Sequence, residues 1–512
     1  MTSQDTAASV SGSTLNQDNL KRSITTPQAL GISFHQIVGG GVVSLAGVAI
    51  ALTGGGLPIA FLLAALAIML VSIPYATLGA AMPVAGGTYT YATKLLHPVF
   101  GFANMWLFVI GMASLSLYGL SAGTYLHSLN SWFNPSVVCI ALITIFAVAN
   151  AMGAAFSARI GIILAGVMLV AFGCFIVFGL LHVDWGNYPP VIPAGLPKLL
   201  QASALLTFAT GGATVVTELG KEMKAPGRTI PVAVIGGTAF AATLYILIAL
   251  PAAGVLPIQQ VANQPLSIVA KAFMPTGIWY FFILGGAVVA VIGTMNAQLL
   301  WGSKSVLAAV DDGWFPRKVG AVNRRFGTPH FLLAFLFLVG IVPTVAHISV
   351  DVIASAASAT GQLIFVIVLI ASLRLRYVAP QVHASSPFKL PAPVQWAFTI
   401  AGCAVCLYQA YLLIKGLTTP VLITLAIWVA VGVIWFLIRY PHVKETLAAR
   451  AVVQASRAGS SDRQSTAHQS ASGTGETTGE QSETMDPYGL PQVEKFDADL
   501  VTHNPAESDA RQ

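Results

Sequence analysis

The stretch IVGGGVVSL, from Ile37 to Leu45, places three consecutive glycines inside an apolar run that is long enough to cross a bilayer. A second apolar run carries a similar interruption, FATGGATVVTE, from Phe208 to Glu218. In hydrocarbon, non-helical backbone is tolerated only where it is buried in protein or lines a cavity. Glycines can also let two helices pack closely, but a matched pair of breaks favours a binding cavity.

The rest of the chain has the composition of a polytopic membrane protein. It has 512 residues, of which 55% are hydrophobic and 9% are charged, and its mean hydropathy is +0.76. A membrane-spanning helix needs about 20 mostly apolar residues, and we predict twelve such spans. They begin near Gly31, Leu57, Pro98, Pro135, Ser157, Leu199, Thr229, Pro275, Thr328, Val350, Pro393 and Leu417. The predicted fold class is an all-α integral membrane protein.

The distribution of Lys and Arg predicts the orientation, because these residues favour cytoplasmic loops. With twelve spans, nearly all basic residues up to Arg450 fall on one side of the membrane. Only Lys198, Lys271 and Lys415 fall on the other side. Both termini are therefore predicted to be cytoplasmic. Residues 1–28 and the acidic, Ser/Thr-rich residues 451–512 lack apolar periodicity and are predicted to be disordered tails.

The two breaks lie five spans apart, so their spans enter the membrane from opposite sides. Two copies of one five-span unit in inverted orientation would give this arrangement. Amide groups freed at the start of the outer half of span 1 would attract a carboxylate. Carbonyl groups freed at the ends of the two preceding half-helices would hold an ammonium group or a cation. Together the two breaks predict a site for a zwitterion such as an amino acid.

Four further motifs join the two breaks in a resemblance to the amino acid–polyamine–organocation (APC) superfamily of permeases. They are PVAGGTYTYATKLLHPVFGF (Pro83 to Phe102), ELGKEMKAPGRTIP (Glu218 to Pro231), KSVLAAVDDGWFPRKVGAVNRRFGTP (Lys304 to Pro329) and PFKLPAP (Pro387 to Pro393). The resemblance implies a permease domain at residues 29–450 with the leucine-transporter type of fold. Its five-span inverted repeats would cover residues 29–182 and 199–378, and two extra helices would cover residues 393–440.

The resemblance also implies a substrate site between spans 1 and 6. The carboxylate wall would be Val38, Gly39, Gly40, Gly41 and Val42, and the amino-group wall would be Phe208, Ala209, Thr210, Gly211, Gly212 and Ala213. Many members carry a bulky aromatic residue and then an acid after the last of these glycines. This chain has Ala213 and Thr214 there, so the aromatic lid and the extra negative charge are missing.

Four polar residues within the spans are candidates for ion coupling or for the cavity wall: Glu218, Thr294, Asn296 and Tyr118. Glu218 could carry a coupled proton, or it could pair with Lys221 near the headgroups. Thr294 and Asn296 could contact a cation or the substrate, or they could form hydrogen bonds between helices. Tyr118 could cap the substrate carboxylate, or it could be an interfacial anchor.

The sequence thus predicts a secondary active transporter in the plasma membrane. It would move amino acids or related amines by alternating access, through ion-coupled symport or exchange. Its partners would be the small-molecule substrate and the bilayer, with no nucleic acid. A polyamine or amine exchanger and a non-transporting amino acid sensor, which would signal through the acidic tail, are the alternatives.

No enzyme, metal site or cofactor is predicted. The chain has no phosphate-binding loop, HExxH or GxSxG pattern, and Cys403 and Cys406 have no second ligand pair nearby. Coupling to H+ and coupling to Na+ both stay open. The lysine that proton-coupled members often place in span 5 is replaced here by Met168.

Overall fold

A computed structural model describes residues 22–153, 158–189, 192–323, 325–326 and 328–470. Within these ranges the chain is helical and contains no strand, apart from two isolated bridges, Ile24 to Met223 and Ala85 to Leu219. Most of the predicted N-terminal tail and residues 471–512 lie outside the described residues. Residues 451–470 continue the last helix, although they were predicted to be part of a disordered tail. The alanine-rich sequence around residues 448–458 favours this continuation, because alanine is the strongest helix former.

The described residues form twenty α-helices. The first eight are α1 (Thr26–Val38), α2 (Gly40–Thr53), α3 (Leu57–Ala81), α4 (Gly87–Leu95), α5 (Pro98–Gly111), α6 (Ser114–Leu129), α7 (Pro135–Ala151) and α8 (Ala158–Leu180). The next six are α9 (Gly195–Thr210), α10 (Pro226–Pro231), α11 (Gly237–Gly254), α12 (Ile258–Val261), α13 (Leu266–Phe273) and α14 (Thr276–Phe281). The last six are α15 (Val289–Asp311), α16 (His330–Val345), α17 (Val350–Val378), α18 (Pro380–Ser385), α19 (Ala392–Lys415) and α20 (Thr419–Ser470).

Several helices are joined by irregular helical turns. A 3-10 segment, Gly211–Glu218, follows α9, and π-helical turns at Val232–Gly236 and Phe282–Val288 join α10 to α11 and α14 to α15. Short 3-10 turns also lie at Gly54–Gly56, Trp185–Asn187 and Gly220–Glu222. Such departures from the α-helix are frequent at functional sites, and the longest of them is the segment that the sequence marks as a break.

Nine helical stretches in the described part of the chain are long and apolar enough to cross a membrane. The first, Thr26–Ala81, has 56 residues and contains α1, α2 and α3. Two shorter apolar helices, Pro135–Ala151 and His330–Val345, lie where further spans are predicted. With so many apolar helices the protein is an integral membrane protein.

The segment around the second glycine break is enclosed by other helices. Most side chains of Gly195–Glu218 are buried, whereas few of those of Thr419–Ala449 are. Helix α9 packs against α2 and α3, and the 3-10 segment packs against α1. Helix α15 contacts α1 and α6. The two breaks therefore lie inside one bundle, with the last helix at its periphery.

Candidate functional site

The break in the first span is a single residue. Gly39, with φ −72° and ψ −108°, separates α1 from α2. The buried hydroxyl of Thr294, on α15, accepts a hydrogen bond from the Gly40 N–H at 2.9 Å. The same hydroxyl lies within donating distance of the His35 carbonyl (3.0 Å), which precedes the break, and of the Ala290 carbonyl (3.1 Å). One side chain from another helix therefore bridges both sides of the break.

All three glycines of this break are in close contact with neighbouring helices. A Cβ atom on Gly39 would overlap the Thr294 hydroxyl, and one on Gly40 would overlap the ring of Tyr118. A Cβ on Gly41 would lie only 2.7 Å from the Cβ of Ala209. The glycine triplet thus lets α6, α9 and α15 approach the span 1 backbone more closely than any other residue would allow.

The break in the sixth span is longer, and its own side chains form hydrogen bonds with its backbone. The eight residues Gly211–Glu218 form the 3-10 segment, in which Thr214 and Thr217 donate to the carbonyls of Gly211 (3.0 Å) and Thr214 (2.7 Å). The two glycines and the β-branched residues after them favour this local unwinding, because both are weaker helix formers than alanine or leucine. A Cβ on Gly212 would overlap the carbonyl of Gln36. The second break therefore packs directly against the end of α1.

A cavity of about 130 Å³ lies beside the second break. Its walls come from the 3-10 segment and from α1, α3, α4, α5, α6, α9, α15 and α17. Five of the residues that the sequence singled out line it: Phe208, Gly211, Gly212, Tyr118 and Glu218. We call this space the central cavity.

Ten other residues of the predicted site do not line the central cavity in this conformation. They are Val38, Gly39, Gly40, Gly41, Val42, Ala209, Thr210, Ala213, Thr294 and Asn296. At the first break, the ring of Tyr118 lies against Gly40 and itself lines the cavity. The Gly40 amide, which was expected to be free for a substrate carboxylate, is bound to Thr294 instead.

Glu218 lines the central cavity and is buried. One carboxylate oxygen accepts the N–H of Thr88 at 2.9 Å, and the other accepts the hydroxyl of Ser305 at 2.6 Å. The backbone carbonyl of Glu218 also accepts the N–H of Gly86 at 3.2 Å. The carboxylate thus links the 3-10 segment to α4 and to α15.

Two glutamines bring amide groups to the cavity wall. Gln298 donates to the Ser114 hydroxyl at 2.8 Å, while its buried Oε1 atom has no hydrogen-bond partner among the described residues. Trp301 donates to the Oε1 atom of Gln36 at 3.2 Å. A buried acceptor without a partner is costly, so Gln298 offers an acceptor to a bound molecule.

Asn296 is used in another way. Its Oδ1 atom accepts the side-chain amide of Asn150, on α7, at 2.9 Å. This is the hydrogen bond between helices that the sequence left as an alternative to a cavity role. Within the described ranges no three His, Cys, Asp or Glu side chains are grouped so that they could hold a metal ion, and the expectation of no metal site stays a prediction.

Several wall residues were not singled out from the sequence. Thr360 and Gly361, on α17, and Phe108, on α5, line the central cavity. The sequence does contain a signal for Thr360 and Gly361, because SATGQ, from Ser358 to Gln362, places small and polar residues inside an otherwise apolar span. Phe108 has no such signal, since an aromatic residue in an apolar helix is usually a packing residue.

Known proteins resemble this chain over most of its length. The family model described as amino acid permease matches residues 24–442. A methylthioribose transporter from Bacillus subtilis is 27% identical over 79% of this chain and 91% of its own length. A branched-chain amino acid permease from the same organism is 26% identical over 86% of this chain and 97% of its own length. A serine/threonine exchanger, also from Bacillus subtilis, is 26% identical over 62% of this chain and 76% of its own length. Because the family model covers far more than half of the chain, this protein belongs to the amino acid permease family.

Proposed function

We propose that the protein is a secondary active transporter that moves amino acids or related amines across the plasma membrane by alternating access. One observation carries the proposal: the 3-10 segment of the sixth span packs against the end of α1 beside the central cavity, with Gly212 against the carbonyl of Gln36. Discontinuous helices that meet at a cavity are the arrangement with which many secondary transporters bind their substrates.

The proposed architecture has twelve spans, arranged as two inverted five-span repeats and two extra helices, with both termini in the cytoplasm. The 56-residue stretch Thr26–Ala81 would be about 84 Å long as one straight helix, whereas the hydrocarbon core is about 30 Å thick. The turn Gly54–Gly56, where Gly54 has φ +59°, divides it into two spans. With the two shorter apolar helices α7 and α16, this division supports the count of twelve.

The relatives support amino acids as the first substrates to test. Two of those described above are named as a branched-chain amino acid permease and a serine/threonine exchanger. Another is named as a methylthioribose transporter, which is a specific reason to include that compound as the second candidate. The apolar and amide groups around the central cavity suit a small molecule without a net charge on its side chain.

Tyr118 is the proposed gate between the central cavity and the span 1 glycines. Its ring lies against Gly40 and lines the cavity. In the proposed cycle the ring moves aside, and a substrate carboxylate then reaches the backbone of Val38, Gly39, Gly40, Gly41 and Val42. The ammonium group would lie toward Phe208, Ala209, Thr210, Gly211, Gly212 and Ala213.

Glu218 is the proposed site of a coupled proton. Protonation converts one carboxylate oxygen from an acceptor into a donor, so the carboxyl group would accept from Thr88 and donate to Ser305. The link between the 3-10 segment, α4 and α15 would then lose the extra strength that the negative charge gives these hydrogen bonds, on the proposed cytoplasmic side. In Glu218→Gln protein we expect exchange of substrate to persist while an imposed proton gradient no longer drives uptake. Stimulation by the proton gradient that equals wild type would exclude this role.

The deciding experiment is uptake into proteoliposomes. The panel contains amino acids, primary amines and methylthioribose, with an imposed proton or sodium gradient. We expect selective uptake that Gly40→Leu abolishes, because a side chain there overlaps Tyr118. The matched control is Gly166→Leu, since the Cβ position of Gly166 has no atom within 4 Å. Saturable binding with neither flux nor exchange would contradict transport and favour the sensor.

A further inference from the structure

A second cavity lies beside the middle of α2. It has a volume of about 240 Å³ and is bordered by α2, α6, the loop between α12 and α13, and the start of α17. It shares no lining residue with the central cavity. Tyr118 lines the central cavity and Tyr125 lines this one, and seven residues of helix α6 correspond to about 10 Å. We call it the outer cavity, because the proposed topology places it on the outer side.

The walls of the outer cavity are held together by hydrogen bonds between elements. Tyr125 donates to the carbonyl of Val43 at 3.2 Å and accepts the N–H of Leu266 at 3.0 Å. Asn263 donates its N–H to the carbonyl of Gly47 at 2.8 Å. The loop packs so closely there that a Cβ on Gly47 would overlap the carbonyl of Gln264. Hydrogen bonds and close packing between α2, α6 and this loop therefore fix the walls of the cavity.

The hydroxyl and carboxylate groups on its walls offer acceptors, and the side-chain amides of Asn263 and Gln264 offer both donors and acceptors. The hydroxyls of Ser121 and Thr124 donate to carbonyls of their own helix, at 2.8 Å and 2.9 Å, so their lone pairs remain available. Ser44 is buried, and its hydroxyl has no partner among the described residues. Asp351, which also lines the cavity, is exposed. Of the described residues that line the cavity, Asp351 alone carries a formal charge.

We propose that the outer cavity is a second binding site, which takes the primary ammonium group of an amine or amino acid before it reaches the central cavity. An ammonium group has three donors and no acceptor, so it matches a wall of hydroxyl lone pairs and one carboxylate. An acidic residue in the first turn of a helix also stabilises that helix. That role alone would require neither the cavity nor the buried, unpartnered Ser44. The order of binding rests on the proposed transport function, whereas the site itself does not.

Asp351→Asn tests the site in transport, with Asp184→Asn as the matched control. Asp184 is also exposed and also lies on the proposed outer side, but it does not line the cavity. The probe is the amino acid that the wild-type protein takes up fastest. We expect Asp351→Asn to raise the external half-saturation concentration by about threefold to tenfold, as the loss of one partly screened charge would. The half-saturation concentration on the internal face should stay at its wild-type value. An equal rise on both faces, or no rise, would overturn the proposal.

Binding of n-butylamine tests the site without any need for transport. Saturation-transfer NMR on the protein in lipid nanodiscs compares n-butylamine with the uncharged n-butanol, at constant ionic strength. We expect a butylammonium signal that Asp351→Asn weakens, that Ser44→Ala weakens less, and that Asp184→Asn leaves unchanged. Failure of Asp351→Asn to weaken the signal would overturn the site even if transport is found. Loss of the signal when Na+ replaces a bulky organic cation would overturn it in favour of a sodium site.

If the wild-type protein transports nothing, the proposed function fails while the binding result still decides the outer cavity. A thermal unfolding midpoint close to wild type establishes that the Asp351→Asn protein is folded. This outcome is expected, because substitution of an exposed polar side chain rarely changes stability much.

Discussion

The two helix breaks look alike in the sequence, but the fold stabilises them in different ways. The first is one residue long, and Thr294 from α15 satisfies the backbone on both sides of it. The second extends over eight residues, and its own threonines bond its carbonyls. Tyr118 lies against the first break, whereas the second forms a wall of the central cavity.

This difference suggests different tasks for the two breaks. A break that depends on another helix can change when that helix moves, so the first break is suited to a gate. A break whose hydrogen bonds come from its own residues can keep its shape while its surroundings move, so the second is suited to a fixed wall.

The close contact between the breaks is tested by adding one methyl group. Gly212→Ala would push a Cβ atom into the backbone carbonyl of Gln36, which cannot rotate away. We expect uptake in proteoliposomes to fall by at least about tenfold, because small misplacements in a substrate site are costly. Gly211→Ala is the matched control, since its Cβ would meet only the ends of flexible side chains, at 3.1 Å from Phe365 and 3.2 Å from Ile68. Equal losses in the two variants would refute the specific contact.

The end of the second break is tested at Glu218. Glu218→Ala removes the acceptor for the Thr88 amide and the Ser305 hydroxyl, and we expect a loss of about 2–4 kcal/mol in the free energy of unfolding. Glu218→Gln can still accept from Thr88 and can donate to Ser305, so it should cost less than about 1 kcal/mol. Unfolding in detergent measures both values. An unchanged free energy of unfolding in Glu218→Ala would show that the carboxylate does not hold these elements together.

The dependence of the first break on α15 is tested at Thr294. Thr294→Val keeps the shape of the side chain but leaves the Gly40 N–H without its acceptor. We expect the protein to lose about 1–3 kcal/mol of unfolding free energy, and Thr294→Ser to recover most of it. The control is Thr243→Val, at an exposed threonine that donates to the carbonyl of Ala239 in its own helix. If both valine variants cost the same, the first break does not depend on Thr294.

The hydrogen bonding within the second break is tested at Thr217. Thr217→Val removes the 2.7 Å bond to the Thr214 carbonyl within the same segment. Because that carbonyl belongs to a 3-10 segment with its own backbone bonds, we expect a loss of only about 0.5–1 kcal/mol. The decrease in the thermal midpoint should be smaller than that of Thr294→Val. A larger decrease would reverse the comparison between the two breaks.

Much of the fold and part of the site could be predicted from the sequence. The apolar runs predicted an all-helical membrane protein, and the described residues are helical without a strand. The glycines predicted where helices break, because a glycine pair or triplet followed by β-branched residues is unfavourable in a helix. The predictions for spans and orientation follow the same local rules, although their full count remains part of the proposal.

The contacts between distant segments could not be predicted in this way. Thr294 was a candidate ligand or a helix contact, and only its position opposite His35 and Gly40 makes it the bridge of the first break. Lys221 was an attractive partner for Glu218 because it is close in sequence. The hydrogen bonds of the Glu218 carboxylate come instead from Thr88 and Ser305, which are far away along the chain.

The sequence by itself therefore determined that this protein is helical and lies in a membrane, and that two of its spans are interrupted at glycine clusters. These properties depend on hydropathy and backbone propensity, which are encoded within about 20 neighbouring residues. The tertiary structure alone decided that Tyr118 lies against one break, that the other lines the central cavity, and that a second cavity lies beside α2. Each of these outcomes depends on which side chains of separate helices meet, and local sequence patterns do not specify that packing.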